Sequence, residues 1–142
     1  MGRRLKTYGI STPGTTQIAT TGNTDEYLIV PKSGTIKAAL FSSLAALATH
    51  EDNHVTFSIT NLGQAGAGAA AILAASAANT TDATGGTALA ANAKRTLTLT
   101  STAADLAVVE GDRLLVRYAA AGTLAGAVTR PVTTILIDAN GA

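Results

Sequence analysis

Residues 108–137 read VVEGDRLLVRYAAAGTLAGAVTRPVTTILI, and this stretch decides the fold class. A tight acidic turn, Glu110-Gly111-Asp112, launches a strand from Arg113 to Tyr118. A loop of small residues, Ala119 to Val128, follows it, and a second strand runs from Val132 to Ile137. Two β-rich runs split by a glycine-containing loop predict a hairpin, with a loop too long for a two-residue turn. The stretch carries structure and almost no chemistry, with no His, Cys or paired carboxylate placed to meet a substrate.

The same grammar extends upstream. Tyr27 to Val30 reads as a strand ended by Pro31, which cannot donate to a ladder. Thr35 to Ser42 resumes as a strand. From His54 to Thr60, Val55, Phe57 and Ile59 alternate with Thr56, Ser58 and Thr60, the period-2 signature of a half-buried sheet. Leu44 to Thr49 has helical composition but is too short to form a stable helix. The alanine-rich run Ala69 to Ala78 fits a helix by propensity and a strand, Ala71 to Ser76, by its Gly- and Asn-bounded surroundings. Arg95 to Thr100 alternates again, and Leu106 to Val109 precedes the acidic turn. About eight short strands at this spacing predict an all-β sandwich or barrel with Val55, Phe57, Ile59, Leu97, Leu99, Val116, Ile135 and Ile137 inside. Residues 1–24, with Gly9, Pro13, Gly14 and Gly22, are expected to form an extended N-terminal arm ahead of a sandwich domain at 25–142.

Composition narrows the function classes. The chain has 142 residues, enough for about one domain. Its hydrophobic fraction is 46% but its aromatic fraction only 4%, without Trp, and alanine supplies much of the rest. Alanine buries little apolar area, while backbone ordering still costs roughly 1–2 kcal/mol per residue. Such a thin core points to further burial against neighbouring subunits, a homo-oligomer. Charged residues make up 13% and the net charge is +1, too weak for the basic face of a nucleic-acid module. The chain has no cysteine, which excludes disulfides, thiolate chemistry and Cys-based zinc sites. Met1-Gly2-Arg3-Arg4-Leu5-Lys6 is not followed by the apolar run of a secretory signal. Ala67 to Ala78 is shorter than the ~20 residues of a membrane span, so no membrane partner is expected.

Several motifs carry possible chemistry. His50-Glu51-Asp52-Asn53-His54 matches H-E-x-x-H, in which two His one helical turn apart hold zinc beside a general-base Glu. Here it leads directly into an alternating strand, and no third His exists, so it reads as a polar loop and no metal or cofactor is expected. Asn79-Thr80-Thr81 has the glycosylation pattern without the context for it. Gly63 to Gly68 and Gly85-Gly86 lack the phosphate-loop pattern. Asp105, Glu110 and Asp112 cluster near one turn and read as turn carboxylates, Asp112 as an Asx-type partner of its own backbone. The arm concentrates Arg3, Arg4 and Lys6 beside Leu5, Tyr8 and Ile10, and these six are the candidate partner-contact residues.

The order of a strand ending in Val30-Pro31, then Gly34-Thr35-Ile36, an alternating strand into Asn61-Leu62-Gly63, a small-residue middle, and Gly111-Asp112 before two closing strands resembles a known family. It is similar to the small jelly-roll head-decoration and capsid-stabilising proteins of tailed bacteriophages, over about residues 25–137. The resemblance narrows the expected fold to a jelly-roll-like β-sandwich and implies a homotrimer on the outside of a virion capsid. Made in the host cytoplasm, it would bind the phage major capsid protein and bridge its subunits, with no catalytic residues. The alternative expectation is a β-sandwich module that binds carbohydrate or a cell surface, for which the chain has few aromatics to stack on sugars. An enzyme ranks third, resting only on the H-E-x-x-H match.

Overall fold

The computed structural model describes residues 6–14 and 17–139. Among the described residues there are nine strands: β1 (Thr7–Ser11), β2 (Gly22–Ile29), β3 (Gly34–Ser42), β4 (Val55–Gly63), β5 (Ala70–Ala71), β6 (Arg95–Leu97), β7 (Ala107–Val108), β8 (Arg113–Ala120) and β9 (Val132–Ala139). They form two antiparallel sheets, ordered β1-β9-β3-β6, with β7 also paired to β3, and β2-β8-β4-β5. Setting aside the two-residue β7, the chain deals its strands between the sheets in the winding of a jelly roll, the all-β sandwich expected from sequence.

The segment that decided the fold class folds differently from its sequence reading. Strands β8 and β9 do not pair with each other: β8 lies between β2 and β4, and β9 between β1 and β3. The connection 121–131 crosses from one sheet to the other, and it is not a hairpin loop. It buries Leu124 and Val128 and pairs Val128 with Ile18, so its apolar residues close one end of the sandwich. Within the stretch expected as an arm, the described residues pair with the sheets. Strand β1 runs along β9 with Tyr8 opposite Ile137 and Ile10 opposite Ile135. Ile18 is fully buried, and β2 begins at Gly22. The described part of residues 1–24 is therefore built into the sandwich. The alternation of Tyr8 and Ile10 with exposed Thr7, Gly9 and Ser11 is the signal of an edge strand with one buried face.

The core is where the two sheets meet. Val55, Phe57 and Ile59 of β4, Leu114, Val116 and Tyr118 of β8, Leu97 of β6, and Ile135 and Ile137 of β9 all point into it. Leu99 is half-buried at its margin. In β3 the register slips between Ile36 and Ala38. The extra residue, Lys37, is exposed, and the slip lets Ile36, Ala39 and Phe41 all face inward although they break strict alternation. Gly34 lies so close to β9 that a Cβ there would sit 2.3 Å from the Asp138 carbonyl oxygen.

Three of the aromatic residues meet at the centre. Phe41 and Phe57 have ring centroids 4.7 Å apart, and Tyr118 meets both edge-on at 5.7 and 5.9 Å. The Tyr118 hydroxyl shares a 2.5 Å hydrogen bond with the Thr133 hydroxyl across the core. Thr133 in turn receives support from Thr12, whose Oγ1 accepts its backbone N–H at 3.0 Å.

The alanine-rich middle is neither a full strand nor a helix. After the two residues of β5, Ile72 and Leu73 are buried, and Ala77–Asn79 form one 3-10 turn. Polar side chains replace ladder bonds here. The Asn79 amide donates to the Ala74 and Thr98 carbonyls and its oxygen accepts from Thr98 N–H. Thr81 Oγ1 accepts from Val55 N–H at 2.9 Å. Arg95 donates to the carbonyls of Thr87, Ala78 and Thr80 at 2.6, 2.7 and 2.8 Å while its guanidinium lies 5.3 Å from the Phe57 ring centre.

Two predictions follow from these contacts. Replacing Tyr118 with Phe leaves the fully buried Thr133 hydroxyl without its partner and is expected to cost about 1–3 kcal/mol in urea unfolding. Burial, the largest influence, also raises the Tyr118 phenol above its usual 10.0. Its contribution to stability is complete below that value and lost as pH rises through the higher folded value, so the alkaline fall in stability is shallower in Tyr118→Phe. An equally steep fall would show that the core phenol does not titrate with unfolding. Arg95→Ala is expected to cost at least about 1.5–3 kcal/mol, the contribution of one hydrogen bond to a charged group, and to speed amide exchange in 77–90 before the rest. Arg95→Lys restores only part, because an ammonium lacks the planar fork that reaches several carbonyls.

Candidate interaction surface

Among the described residues, two of the four exposed large apolar side chains stand on the outer face of the second sheet; the others are Leu44 and Val109. Strand β2 is an edge of that sheet, and Tyr27 and Ile29 stand on the solvent side, 50% and 66% exposed. Their inward neighbours, Leu28 and Val30, are buried. Four consecutive apolar residues thus clothe both faces of a strand that has a neighbour on one side only. That run is the signal for this surface, since a continuous apolar strand ordinarily has both faces covered.

Beside β2, the register with β8 places Asp25 opposite Arg117, Tyr27 opposite Leu115 and Ile29 opposite Arg113. Arg117 grips Asp25 bidentately, Nε to Oδ1 at 2.8 Å and Nη2 to Oδ2 at 3.0 Å. That hydrogen bond is the main reason the Asp25 carboxyl lies below the ordinary carboxylate range, against a smaller opposing effect of burial. The Arg113 guanidinium sits 4.6 Å from the Tyr27 ring centre and covers one of its faces. At the end of β2, Val30 N–H donates to the Asp112 carbonyl and the Val30 carbonyl accepts from Gly111 N–H. Gly111 has φ +91°, the left-handed conformation that only glycine takes easily, and exposed Val109 opens the same turn.

The residues singled out in the sequence do not gather at one site. Arg3, Arg4 and Leu5 lie outside the described residues. Lys6 is exposed, and its carbonyl accepts from Ala139 N–H at 2.8 Å. Tyr8 and Ile10 are half-buried and pack against the core. The Tyr8 hydroxyl donates to the Lys32 carbonyl, and burial raises its phenol above 10.0 despite that bond. These two side chains brace β1 against the core.

The H-E-x-x-H segment is a loop ahead of β4. His50 Nδ1 accepts the backbone N–H groups of Asp52 and Asn53, each at 3.0 Å. His54 Nδ1 lies 3.0 Å from the Glu51 carbonyl oxygen, and its Nε2 lies 3.9 Å from an Asp82 carboxylate oxygen. The imidazoles tie the loop to itself and to the alanine-rich segment, where His50 bridges Asp82. Asp112 is buried, with its Oδ2 accepting from Val109 N–H at 2.9 Å and from the Asn61 amide at 3.0 Å. It braces the turn by bonding three residues back, whereas the Asx turn expected of it bonds two residues forward. Asn79 of the glycosylation pattern is 1% exposed and its amide is fully engaged. Among the described residues, no three His, Cys, Asp or Glu side chains converge as metal ligands would.

A scan of this chain against protein-family models returns no match, and neither does a search of curated proteins or of solved structures.

Proposed function

We propose that this chain is a structural virion protein that binds the outside of a tailed-phage capsid and stabilises the shell by bridging major capsid protein subunits. The observation that carries the reading is the division of labour in the side chains. The groups that sequence offered for chemistry, His50, His54, Asp112 and Asn79, are spent on holding loops. The side chains left outward on the second sheet are Tyr27 and Ile29, suited to protein contact. A jelly roll with only 13% charged residues and with apolar side chains exposed on one sheet fits a module that is stabilised by lattice neighbours as well as by its own interior. In this reading the protein is not an enzyme, and it acts as a homo-oligomer. A sugar-binding sandwich would use Tyr27 as a stacking platform, and Arg113 already occupies one face of that ring.

Contact with the capsid uses the basic start of the chain, Arg3, Arg4 and Lys6, against acidic capsid side chains. Because β1 begins at Thr7, removal of residues 1–12 would strip an edge strand and expose β9. The informative variant is therefore Arg3→Gln/Arg4→Gln/Lys6→Gln. Purified protein is mixed with empty capsids of the major capsid protein encoded in the same genome, and the capsids are sedimented. The wild-type chain is expected to co-sediment at a saturating ratio and to raise the temperature at which the capsids break. The triple variant is expected to keep its own melting temperature and to bind more weakly, most visibly at low salt. Absence of wild-type chain from the capsid pellet would overturn the assignment.

A further inference from the structure

We infer that the free edge of β2 is a self-association edge, at which a second copy of this chain pairs antiparallel about a two-fold axis through Leu28. The inference does not depend on the capsid reading. It begins with hydrogen-bonding parity. Val30 N–H donates to the Asp112 carbonyl, continuing the β2–β8 register one residue past Ile29. Amide direction alternates along an antiparallel strand, so Val30, Leu28, Glu26 and Thr24 address β8. Asn23, Asp25, Tyr27 and Ile29 then turn their N–H and C=O groups to the open side. Among the described residues, no strand pairs with that side. The edge is eight residues long and bears the exposed Tyr27 and Ile29, the kind of edge that soluble proteins otherwise cover or blunt.

The occupant and the register follow from the side chains. A two-fold axis through Leu28 sets Tyr27 opposite Ile29 of the second copy, and Ile29 opposite its Tyr27. Aromatic and β-branched residues are a favourable cross-strand pair, and this arrangement makes one on each side of the axis. An axis through Asp25 or Glu26 would instead bring like charges face to face, which is unfavourable. With the axis at Leu28 the acidic residues of the two strands lie far apart. Glu26 of one copy then has Lys32 of the other as its diagonal neighbour, within the reach of long side chains. Neither Glu26 nor Lys32 has an ion-pair partner among the described residues, whereas Asp25 is already satisfied by Arg117. Pro31, which lacks an N–H, falls at the end of the shared ladder and stops it there.

The test uses the full chain, whose mass is 14.1 kDa and which has no native cysteine. Mass is measured by light scattering across protein concentrations up to about 1 mM. An even-numbered oligomer is expected, and Ile29→Lys is expected to halve its mass. Since Ile29 is exposed, that variant should keep the wild-type circular dichroism, with a melting temperature that no longer rises with protein concentration. Register is read separately. Opposed strand residues lie within disulfide range, so Tyr27→Cys chains mixed with Ile29→Cys chains are expected to form a disulfide-linked pair. Each variant alone should cross-link several-fold more slowly. A wild-type monomer throughout, an oligomer of odd number, a mass unmoved by Ile29→Lys, or equal cross-linking of each variant alone would each overturn the inference.

Discussion

The fold rests on one contact, the junction of Phe41, Phe57 and Tyr118 with the Tyr118–Thr133 hydrogen bond at its edge. The chain has two Phe, three Tyr and no Trp, so most of its aromatic surface is spent at this one point. Phe41 comes from the first sheet, and Phe57 and Tyr118 from the second, which makes the cluster the clasp between the layers. Elsewhere the interior is filled by Val, Leu, Ile and Ala, whose burial contributes less per residue. A clasp of large rings edge to face contributes beyond its area, and a buried hydroxyl pair fixes its orientation where an all-carbon core could slide.

From that clasp outward, the structure substitutes polar bonds for missing apolar bulk. Arg95 links the clasp to the alanine-rich segment, because the same guanidinium lies near the Phe57 ring and holds the carbonyls of residues 78, 80 and 87. Asn79 and Thr81 fasten that segment to β4 and to the chain following β6. Alanines alone could not hold an irregular segment against its own backbone entropy, since each offers little to bury. Placing Asn, Thr and Arg at the junctions satisfies buried carbonyls and amides that no strand partner reaches. No buried side-chain nitrogen or oxygen among the described residues is left without a partner.

What sequence could tell follows from this economy. Period-2 alternation is a local signal, so β4, β6, β8 and β9 and their inward residues were legible from Val55, Phe57, Leu97, Val116 and Ile135. Pairing is not local. Residues 113–137 look like a hairpin because hairpins and sheet-crossing connections share the same strand–loop–strand pattern, and only the burial of Leu124 and Val128 distinguishes them. The β3 bulge hid in the same way, since a one-residue slip at Lys37 breaks the alternation being read. Residues 1–24 look like an arm because glycines and Pro13 punctuate a polar, threonine-rich sequence, yet the alternation at Tyr8 and Ile10 was enough to form an edge strand. The surface at Tyr27 and Ile29 was half legible: the apolar run marked a strand, but only the topology puts it at an edge.

That edge stands beside a core of Val, Leu, Ile and three aromatic residues, with alanine mostly outside it. The thin core expected from composition is therefore not what the sheets enclose. The proposed second copy, binding only the folded state, would add to the stability that this core supplies. Strand pairing is an economical way to do so, because the backbone bonds are already aimed and only Tyr27 and Ile29 need to be apolar. The neighbouring charges keep such an edge selective. Arg117 ties down Asp25 and Arg113 stacks on Tyr27, so the strand presents an ordered face where a row of mobile charges would otherwise stand. Pro31 limits its length. An edge with these stops favours pairing in one register over open-ended growth, which is what separates an assembly contact from an aggregation site.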